Sequence, residues 1–481
     1  MSETLELVTE KMAAEGVAVA RQNRFVIFVD GALPREKIRA EITKRKRNHA
    51  FARVLEVLEP SPHRVPAPCP VFGICGGCSF QHMDYPAQIA MKRDVLIESL
   101  YGVPGVPDIV RQSITADSPF WFRNKMVFAF GMTAPGNDSS PVAAGASRWP
   151  DPHHHALAGA ATEPILGLHR KGQWHSVVPA SDCMLQSKES NEIIRRTLAF
   201  VKERGIAVFN DERNDGYLRH LVVREGKHTG ERMIHLHAVQ QHPAFEELPK
   251  VLDDLCTTFL ASYHRNVPEA APADQTFVLK GSGQISDKLN DFTFEIGPST
   301  FFQTNTIQAE KLFGVVKAWA AETKPKNAVD LYAGTGPIGM FLSTVAEKVV
   351  CIESNRDSVV MARRNIDTNG LKNIEVICVE AEKAGPGVFP KPTDLVVVDP
   401  PRPGLHKKAM ELLLSVKAPN LIYVSCNPAT LARDLKLLAE GGYAIEAIQP
   451  VDMFPHTFHI EAVAKLRRES VNHETHGIHE K

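Results

Sequence analysis

The C-terminal part of the chain alternates short apolar runs with helical segments, and this pattern constrains the fold more than any other feature. The apolar runs end in polar, glycine or proline residues and cover 328–336, 348–354, 374–380, 394–401 and 421–428. Helical stretches such as 358–370 and 407–417 lie between them. This alternation predicts a parallel α/β sheet that binds ligands at the carboxyl ends of its strands. Those ends carry Asp330 and Gly334, Glu353, Glu380, Asp399 and Cys426.

A glycine-rich turn follows the first of these strands. Gly334, Gly336 and Gly339 fit a tight strand-to-helix turn that lets a ligand approach the backbone. Glu353 ends the next strand, where its carboxylate can accept both hydroxyls of a ribose. The same spacing fits a dinucleotide fingerprint, so the motif alone is ambiguous. A charged Asp330 before the turn would repel a pyrophosphate, and this favours S-adenosylmethionine (AdoMet) over a dinucleotide.

Two residues near the C-terminus have the chemistry of a nucleophile and a base. Cys426 precedes Asn427 and Pro428, a predicted helix N-cap and first helical residue, so the helix dipole should lower the pKa of its thiol. Glu461 begins an apolar strand, where desolvation should raise its pKa and let it exchange a proton near neutrality. His456 and His459 are competing bases, although a structural role is favoured for both.

The sequence Asp399-Pro400-Pro401-Arg402 ends a buried strand and predicts a rigid platform beside the ligand. This platform is suited to bind a planar base, with the carboxylate of Asp399 hydrogen-bonding to the edge of the base. The alternative is a proline-rich loop with a capping aspartate.

Three closely spaced cysteines and one distant cysteine predict a metal centre. Cys69, Cys75 and Cys78 lie on a glycine-rich loop, and Cys183 follows far along the chain. Four cysteines can hold zinc or an iron–sulfur cluster, and this spacing differs from the paired CxxC knuckles of zinc ribbons. The sequence therefore favours a [4Fe–4S] cluster. The remaining cysteines are interpreted as small buried hydrophobes: Cys256 in a predicted helix, and Cys351 and Cys378 in apolar strands.

The first 60 residues predict a small barrel of about five short strands with an OB-like architecture. Its predicted strands include 16–20, 24–30, 37–43 and 51–59. A basic cluster surrounds the last two: Arg35, Lys37, Arg39, Lys44, Arg45, Lys46, Arg47 and Arg53. Such a cluster either protects a solvated edge strand or contacts phosphates, and its density favours phosphates.

Composition sets the class of protein. The chain has 481 residues, enough for about three domains, and its 43% apolar and 23% charged content is typical of a globular protein. Because 55 basic residues nearly balance 56 acidic ones, nucleic-acid binding requires a local patch. No signal peptide or membrane-spanning stretch is recognisable, so we expect a cytoplasmic protein whose eight cysteines form no disulfide framework. The segment 134–162, with its three consecutive histidines, is interpreted as a surface insertion, and 191–205 as a helix ended by Gly205.

These motifs together resemble the RNA uracil-5-methyltransferase family, within it most closely the branch with an N-terminal TRAM domain and a [4Fe–4S] cluster. The resemblance covers about residues 8 to 466. It rests on an ordered motif set: DLYAGTGPIG, DPPRPGL, SCNP, DMFPHTFHIE, the FFQTN run at 301–305 and the four cysteines. One departure is Pro337, where some members carry asparagine.

The resemblance implies an α/β fold in three parts. These are a TRAM-like barrel over 1–62, a central α+β domain with the cluster over 63–290, and a Rossmann-like methyltransferase domain over 291–468, before a flexible tail over 469–481. It implies Cys426 as the nucleophile that adds to C6 of uracil and Glu461 as the base that removes the C5 proton. It places Gln303, Tyr332, Glu353 and Asp399 around AdoMet and the target base, beside the glycine turn at Gly334. It assigns the cluster to Cys69, Cys75, Cys78 and Cys183.

The implied enzyme methylates C5 of a uridine in RNA, with 23S ribosomal RNA favoured over the tRNA T-loop as substrate. It is expected to act as a monomer without a membrane partner. A dinucleotide oxidoreductase and a non-catalytic iron–sulfur RNA-binding protein are the alternatives from other classes. The first leaves the SCNP motif and the downstream glutamate without a role, and the second leaves the methyltransferase half without one.

Overall fold

The computed structural model describes residues 3–133, 163–210, 213–264 and 275–469. The chain divides into two compact units. The first comprises residues within 1–95, 115–310 and 452–459, and the second comprises residues within 96–114, 311–451 and 460–481. The predicted insertion at 134–162 and almost all of the predicted tail lie outside the described residues. The predicted division into three domains stays a prediction.

In the first unit, five N-terminal strands close into a barrel in the order β1-β2-β3-β5-β4. They are β1 (Thr4–Met12), β2 (Ala18–Gln22), β3 (Phe25–Asp30), β4 (Lys37–Arg45) and β5 (His49–Glu59). Alternate residues such as Ile27, Val29, Ile38 and Ala40 are buried inside it. The barrel confirms the five-strand prediction. Strand β1 was missing from the predicted runs, because apolar Val8 faces outward, polar Thr9 is buried, and the register shifts between Thr9 and Lys11, so the alternation is broken.

The rest of the first unit is built on a seven-stranded sheet with the order β12-β11-β10-β9-β6-β7-β8. Its strands are β6 (Lys125–Met132), β7 (Pro164–Arg170), β8 (Gln173–Pro179), β9 (Leu218–Glu225), β10 (Arg232–Ala238), β11 (Thr258–Tyr263) and β12 (Gln275–Lys280). A further antiparallel pair joins β13 (Ile285–Leu289) to β14 (Phe292–Ile296). The helices α2 (Lys188–Glu203) and α3 (Leu248–Val251) also belong to this unit, whereas α1 (Tyr85–Ser99) and α4 (Thr306–Thr323) have residues in both units.

Helix α2 illustrates how local sequence sets an element. Ser187 caps it by accepting a hydrogen bond of 3.0 Å from the Ser190 amide, and Gly205 just past its end has φ +61°. Its apolar face, including Ile193, Ile194 and Phe200, joins the core of the sheet. The predicted helix at 191–205 is thus confirmed, with both ends two or three residues earlier.

The second unit is built on a seven-stranded sheet with the order β17-β16-β15-β18-β19-β21-β20. Its elements are β15 (Asn327–Leu331), α5 (Pro337–Leu342), β16 (Lys348–Glu353), α6 (Arg356–Thr368), β17 (Ile374–Cys378), β18 (Leu395–Val398), α7 (Lys407–Val416), β19 (Asn420–Ser425), α8 (Pro428–Glu440), β20 (Tyr443–Val451) and β21 (Glu461–Arg468). Strands β15 to β19 are parallel in the order 3-2-1-4-5 of doubly wound sheets, and β21 is antiparallel to both its neighbours. This confirms the predicted parallel α/β architecture. Short 3₁₀ turns occur elsewhere in the chain at Ala14–Gly16, Pro243–Glu246 and Pro386–Val388.

The glycine turn between β15 and α5 has a packing reason as well as a conformational one. Gly336 has φ +90°, a backbone conformation that favours glycine. At Gly339, a Cβ atom would lie 2.2 Å from Cys351 Sγ, so only glycine lets α5 pack this closely on β16. Pro337 is the first residue of α5, where its missing N–H costs nothing, and this accounts for the departure from the family pattern.

Two predictions about cysteines are wrong. Cys378 is exposed, because β17 is an edge strand of the sheet and its last residue lies outside the core. Cys256 is buried as predicted but lies between α3 and β11 rather than in a helix. Cys351 is buried in β16 as predicted. Within the described residues, no helix has the length and apolar character needed to cross a membrane.

Candidate active site

The predicted nucleophile and base lie opposite each other at one edge of the second unit's sheet. Strands β19 and β21 are antiparallel, and Ser425 pairs with Ala462. Cys426 comes directly after Ser425 and Glu461 directly before Ala462, so the ladder places these two residues side by side. Asp399 follows the adjacent strand β18 at the same edge. The sheet therefore gathers a thiol and two carboxyl groups where ligands bind in this architecture.

The pKa of the Cys426 thiol differs from the sequence prediction. Asn427 does cap α8, since its side chain accepts a 3.0 Å hydrogen bond from the Ala429 amide, and Pro428 is the first helical residue. Nevertheless, burial raises the pKa of Cys426 to about 11, and the charges of Glu461 and Asp399 raise it further than Arg402 lowers it. The predicted lowering was wrong, because it considered the helix terminus and omitted the burial of the thiol and the two carboxylates.

The pKa of Glu461 is raised, as predicted. Its side chain is 7% exposed, and burial together with the charge of Asp399 raises its pKa to about 8, while Arg402 opposes the shift. Burial raises the pKa of Asp399 to about 7. Both carboxyl groups can therefore gain or lose a proton near neutral pH, which is the property that a general acid or base requires.

Arg402 was not singled out by the sequence analysis, although it directly follows the Asp-Pro-Pro platform. Its guanidinium hydrogen-bonds the Cys426 thiol and favours the charged forms of both Cys426 and Glu461. Its carbonyl accepts hydrogen bonds of 3.2 Å from the Asn427 side-chain amide and the Thr430 hydroxyl on α8. The platform is therefore attached to the helix that begins beside the nucleophile.

A second attachment of the platform uses Asp434, a fully buried carboxylate of α8. It accepts hydrogen bonds from the Tyr423 hydroxyl at 2.6 Å and from the Leu405 amide at 2.8 Å. Arg433 donates to the same carboxylate and to the carbonyl of Pro403. This network fixes the loop after Asp399 against α8. It was missed because its partners are up to 30 positions apart in the sequence and give no motif.

The glycine turn is hydrogen-bonded to Glu353, which ends strand β16. Both lie at the edge of the sheet that also carries Cys426. The Glu353 carboxylate accepts from the Gly334 amide at 2.9 Å, from the Asn355 amide at 2.7 Å and from the Ser354 hydroxyl at 3.2 Å. A carboxylate has about four acceptor positions, so one remains for a ribose hydroxyl. The backbone of the turn thus orients the Glu353 carboxylate, the group predicted to bind the ribose.

Asp330 and Tyr332 flank the same turn. Asp330 is completely buried, accepts a 2.8 Å hydrogen bond from the Gly339 amide, and has a pKa raised by burial to about 8. It is largely neutral at pH 7, so the argument that its charge would repel a pyrophosphate is wrong. Tyr332 has φ +69°, and burial raises the pKa of its phenol, which hydrogen-bonds Glu382.

Gln303 lies in the first unit, where its carbonyl accepts a 2.7 Å hydrogen bond from the Asn124 side chain. Its predicted place beside AdoMet stays a prediction.

His456 is buried in the same unit, with its ring 4.2 Å from the Phe120 ring and its Nδ1 3.2 Å from the Gln88 amide nitrogen. Burial lowers the pKa of His456 to about 4, which favours the structural role.

The segment that precedes Glu461 is held by a buried ion pair within the first unit. Lys92 Nζ lies 2.6 Å from an Asp452 carboxylate oxygen and donates to the Phe454 carbonyl at 2.9 Å. The Tyr85 hydroxyl donates to the other Asp452 oxygen at 2.8 Å. Breaking such a buried pair is costly, so this segment has a strongly fixed conformation.

The first unit also contains the four predicted ligand cysteines, which line a single cavity of about 420 Å³. Cys69, Cys75 and Cys78 come from one loop, and Cys183 from the segment between β8 and α2. The sequence prediction that these four thiols meet in space is borne out by this cavity, although their roles as ligands stay a prediction.

The cavity supplies polar groups directed at sulfur. The Gly77 amide donates to Cys75 Sγ at 3.3 Å, and the Gln81 side-chain amide donates to Cys78 Sγ at 3.1 Å. Arg123 lines the same cavity, and its buried Nε has no hydrogen-bond partner within the described part of the chain. Burial raises the pKa of Cys75 to about 11 and of Cys78 to about 12, and neighbouring cysteines add to each shift. The thiols therefore need a bound positive charge to remain as thiolates.

Among the described residues, no group of three or more histidine, cysteine, aspartate or glutamate side chains is arranged to hold a metal ion. The four thiols share one cavity, and the kind of metal centre stays a prediction.

The basic cluster of the barrel is partly neutralised. Arg39 pairs with Glu6 and Glu56, Arg45 with Glu3 at 2.6 Å, and Arg53 with Glu41 at 2.7 Å. Lys44, Lys46 and Arg47 are exposed, and no carboxylate partner for them is found within residues 3–133 or the other described ranges. The sequence analysis overstated the free positive charge, because cross-strand pairing is invisible in a linear sequence.

Comparison with known proteins identifies the class to which this fold and site belong. Residues 274–388 and 392–469 match the model of the tRNA (uracil-5-)-methyltransferase family. A Clostridium tetani protein described as an uncharacterized RNA methyltransferase is 33% identical over 476 residues, covering 96% of this chain and 97% of its own. A Halalkalibacterium halodurans protein described in the same words is 33% identical over 482 residues, covering 97% of each. The chain belongs to the RNA uracil-5-methyltransferase family and is an RNA methyltransferase.

Among solved structures, the chain is similar to the Pyrococcus abyssi tRNA (uracil-54, C5)-methyltransferase in complex with S-adenosyl-L-homocysteine. The two are 27% identical with a TM-score of 0.73, and the match covers 96% of this chain and 100% of the other. This similarity extends over the barrel and both units rather than over the methyltransferase sheet alone.

Proposed function

We propose that this protein transfers the methyl group of AdoMet to C5 of a uridine in RNA through a covalent adduct between Cys426 and C6 of the uracil. The observation that carries the proposal is the placement of Cys426 directly after β19 and Glu461 at the start of the paired strand β21, with Asp399 directly after the neighbouring strand β18. Family membership supplies the reaction class. The cytoplasm, where RNA is modified, is the proposed location.

The uracil ring must be activated, because its C5 is too weakly nucleophilic to take a methyl group directly. The thiolate of Cys426 adds to C6, and the electrons of the C5–C6 double bond move to form an enolate. C5 then attacks the methyl carbon of AdoMet and releases S-adenosylhomocysteine. Glu461 removes the remaining proton from C5, the double bond forms again, and the Cys426 thiolate leaves.

The charges in the site explain how one pair of residues performs both steps. A protonated Glu461 lowers the negative charge beside Cys426 and so favours the thiolate. The sulfonium of AdoMet and the guanidinium of Arg402 act in the same direction. After methyl transfer the positive charge of the sulfonium is gone. Glu461, with a pKa of about 8, must release its own proton to solvent before it accepts the C5 proton.

AdoMet is proposed to bind across the glycine turn, with its ribose on Glu353 and a further contact from Tyr332. A contact from Gln303 stays what the family resemblance implies. The hydrogen bonds from Gly334 and Asn355 hold the Glu353 carboxylate in one orientation. The bound S-adenosylhomocysteine of the Pyrococcus abyssi relative supports this donor. Asp399 and the following prolines are proposed to read the edge of a uracil that has left its base stack.

The four-cysteine cavity fits a [4Fe–4S] cluster better than a single zinc ion. Four sulfurs, two donors to sulfur and the cationic Arg123 surround a volume of about 420 Å³. Cys69, Cys75, Cys78 and Cys183 would be the ligands, and a bound cluster would contribute folding free energy to the first unit. No step of the methyl transfer requires it.

A uridine of 23S ribosomal RNA is the proposed target. The TRAM-plus-cluster resemblance supports it, and the barrel of the first unit offers a surface for RNA. The uridine of the tRNA T-loop is the second candidate, favoured by the similarity to the tRNA (uracil-54, C5)-methyltransferase.

The test is to incubate the purified protein with methyl-labelled AdoMet and with ribosomal RNA and tRNA from a strain that lacks the gene. Label in 5-methyluridine of ribosomal RNA alone supports the full proposal. Label in tRNA alone would replace the target and keep the chemistry. Label in neither RNA, or at a position other than uracil C5, would refute the proposed function.

A further inference from the structure

A groove on the outside of the barrel has no role in the chemistry described above. One side is the outer surface of β3 and β5, and the other is the loop at 73–74 together with the turn between β7 and β8. We call it the barrel–hairpin groove. It has a volume of about 270 Å³ and is lined by Val17, Phe28, Asp30, Thr43, Phe51, Ala52, Arg53, Gly73, Ile74, Arg170, Lys171 and Gln173.

Aromatic rings form the barrel side of this groove. Phe28 and Phe51 are direct neighbours on the parallel strands β3 and β5, and their rings stack at 5.6 Å with 29° between the planes. His49 contacts both rings edge-on at 5.6 and 5.2 Å. Phe51 remains 37% exposed, although alternate residues of β5 such as Ala50 and Ala52 fill the barrel interior. The fold gains little from an aromatic ring at this outward position, so a binding role is indicated.

Cationic groups surround the rings. Lys171 and Arg53 line the groove and are paired with Asp30 at 2.6 Å and with Glu41 at 2.7 Å. Arg170 also lines it, and within the described residues no carboxylate partner of Arg170 is found. The groove therefore has a surplus of positive charge next to an exposed aromatic face.

The wall opposite the rings is fixed by the backbone of the cysteine loop. The Lys171 amide donates to the Ile74 carbonyl at 2.9 Å, and the Gly76 amide donates to the His169 carbonyl at 3.0 Å. Cys75 and Arg170 form an isolated antiparallel bridge. The groove is therefore preformed rather than assembled from mobile side chains.

Exposed aromatic rings beside a positive groove are the arrangement by which proteins bind unpaired nucleic acid without reading its sequence. We propose that the barrel–hairpin groove binds one unpaired nucleotide of the substrate RNA, with its base stacked on Phe51 and its phosphate facing Arg170. This inference rests on the proposed function for the identity of the ligand as RNA. It adds a second nucleotide-binding position, separate from the one that receives the target uracil.

The test measures binding of a single-stranded RNA oligonucleotide whose one uridine is the methylation target and fixes the register, intact or with one abasic nucleotide placed at each other position in turn. Wild-type protein should lose affinity when the abasic site falls at one particular position. Phe51→Ala should weaken binding of the intact oligonucleotide by roughly 5- to 150-fold, the range for loss of one base–aromatic stack. Its affinity should then be insensitive to an abasic site at that position. Phe51→Trp should restore the sensitivity.

A matched control is Phe277→Ala, since Phe277 is an aromatic residue of the same unit with 39% exposure and lies on β12 outside the groove. It should bind like wild type. Arg170→Ala should flatten the dependence of log affinity on log salt by about 0.7, the value for one phosphate contact to a single strand. If Phe51→Ala loses the same factor for intact and abasic RNA at every position, the stacking site is refuted.

Methyl transfer at saturating RNA separates this inference from the proposed function. Phe51→Ala should keep the kcat of wild type and raise KM, because the groove binds RNA and takes no part in the chemistry. A wild-type protein that methylates uracil but shows no position-specific abasic effect would refute the groove alone. A protein that shows the abasic effect but transfers no methyl group would refute the proposed function alone.

Discussion

The two groups of buried thiols in this molecule differ in the charges around them. At the edge of the second unit's sheet, Cys426 lies beside two carboxyl groups and one guanidinium. The first unit contains the other group, made of Cys69, Cys75, Cys78 and Cys183. These thiols lie close to one another, to two neutral hydrogen-bond donors and to Arg123. Burial raises the thiol pKa in both places.

The difference lies in how a thiolate can be stabilised. Beside Cys426, the carboxyl groups of Glu461 and Asp399 have pKa values near neutrality, so a proton can move among the groups as the reaction proceeds. Around the cavity no such carboxyl pair is found in the set of lining residues, and up to four negative sulfurs require a bound cation. The first arrangement suits a nucleophile that must be gained and lost, and the second suits permanent ligation.

The largest expected effect is that of Cys426→Ala. Without the thiol, C6 of the uracil cannot be attacked, so methylation should fall by on the order of 10⁴-fold or more, as when a covalent nucleophile is removed. AdoMet binding should stay within a few fold of wild type, because Cys426 is not among the residues proposed to hold it. Wild type should form a stable adduct with 5-fluorouridine RNA, since fluorine cannot leave as a proton. The control is Cys351→Ala, and turnover by Cys426→Ala at the wild-type rate would refute the nucleophile.

Glu461→Gln should separate the two halves of the reaction. Adduct formation and methyl transfer come before removal of the C5 proton, so the amide should allow the first two and block the last. Turnover should fall by about 10²- to 10⁴-fold, the usual contribution of a general base, and a methylated protein–RNA adduct should accumulate on denaturing gels. An active Glu461→Gln enzyme without adduct would mean that another group removes the proton, with His459 as the next candidate.

The cysteine cavity should respond to substitution through metal content and stability rather than through the rate constant of methyl transfer. Cys183→Ser should lose the iron and acid-labile sulfide that anaerobically purified wild type is expected to contain, and should unfold at a lower temperature. Cys256→Ser is the matched control, because Cys256 is another buried cysteine of the first unit that does not line the cavity. One tightly bound zinc per chain without sulfide would exclude the cluster.

The sequence was sufficient to predict the architecture of the sheet and the meeting of residues far apart in the chain. Strand ends meet at one edge of any parallel sheet, so Cys426, Asp399 and Glu353 could be placed there from the pattern alone. The pKa of Cys426 could not be predicted, because it depends first on the burial of the thiol and then on the antiparallel strand β21, which brings Glu461 beside it. The same applies to the barrel, where the ion pairs of Arg39 and Arg45 depend on which strands are neighbours.

The stability of the protein should depend on pH through Glu461. Its pKa rises from an ordinary value of 4.5 to about 8 in the folded state, so the folded state binds the proton more tightly. This contribution to stability is complete below pH 4.5 and is lost as pH rises toward 8. Glu461→Gln, which stays neutral, should therefore stabilise the protein by a few kcal/mol at pH 8 and by little at pH 5, relative to wild type. Thermal unfolding at both pH values measures this, and an equal shift at the two values would contradict the raised pKa.

The smallest expected effect concerns the exposed basic run of the barrel. Lys44, Lys46 and Arg47 form an exposed run within the predicted cluster, and no carboxylate partner for them is found in the described ranges, so they remain available for phosphates. If each contacts one phosphate, replacing all three by alanine should flatten the slope of log RNA affinity against log salt by about 2, since each contact to single-stranded RNA contributes roughly 0.7. Arg39→Ala is the control, because Arg39 is already paired with Glu6 and Glu56 and should leave the slope nearly unchanged. The kcat at saturating RNA should stay the same in both variants, as none of these residues belongs to the site around Cys426. Parallel salt plots for wild type and the triple variant, together with aggregation of the variant, would show instead that the run protects an exposed strand edge.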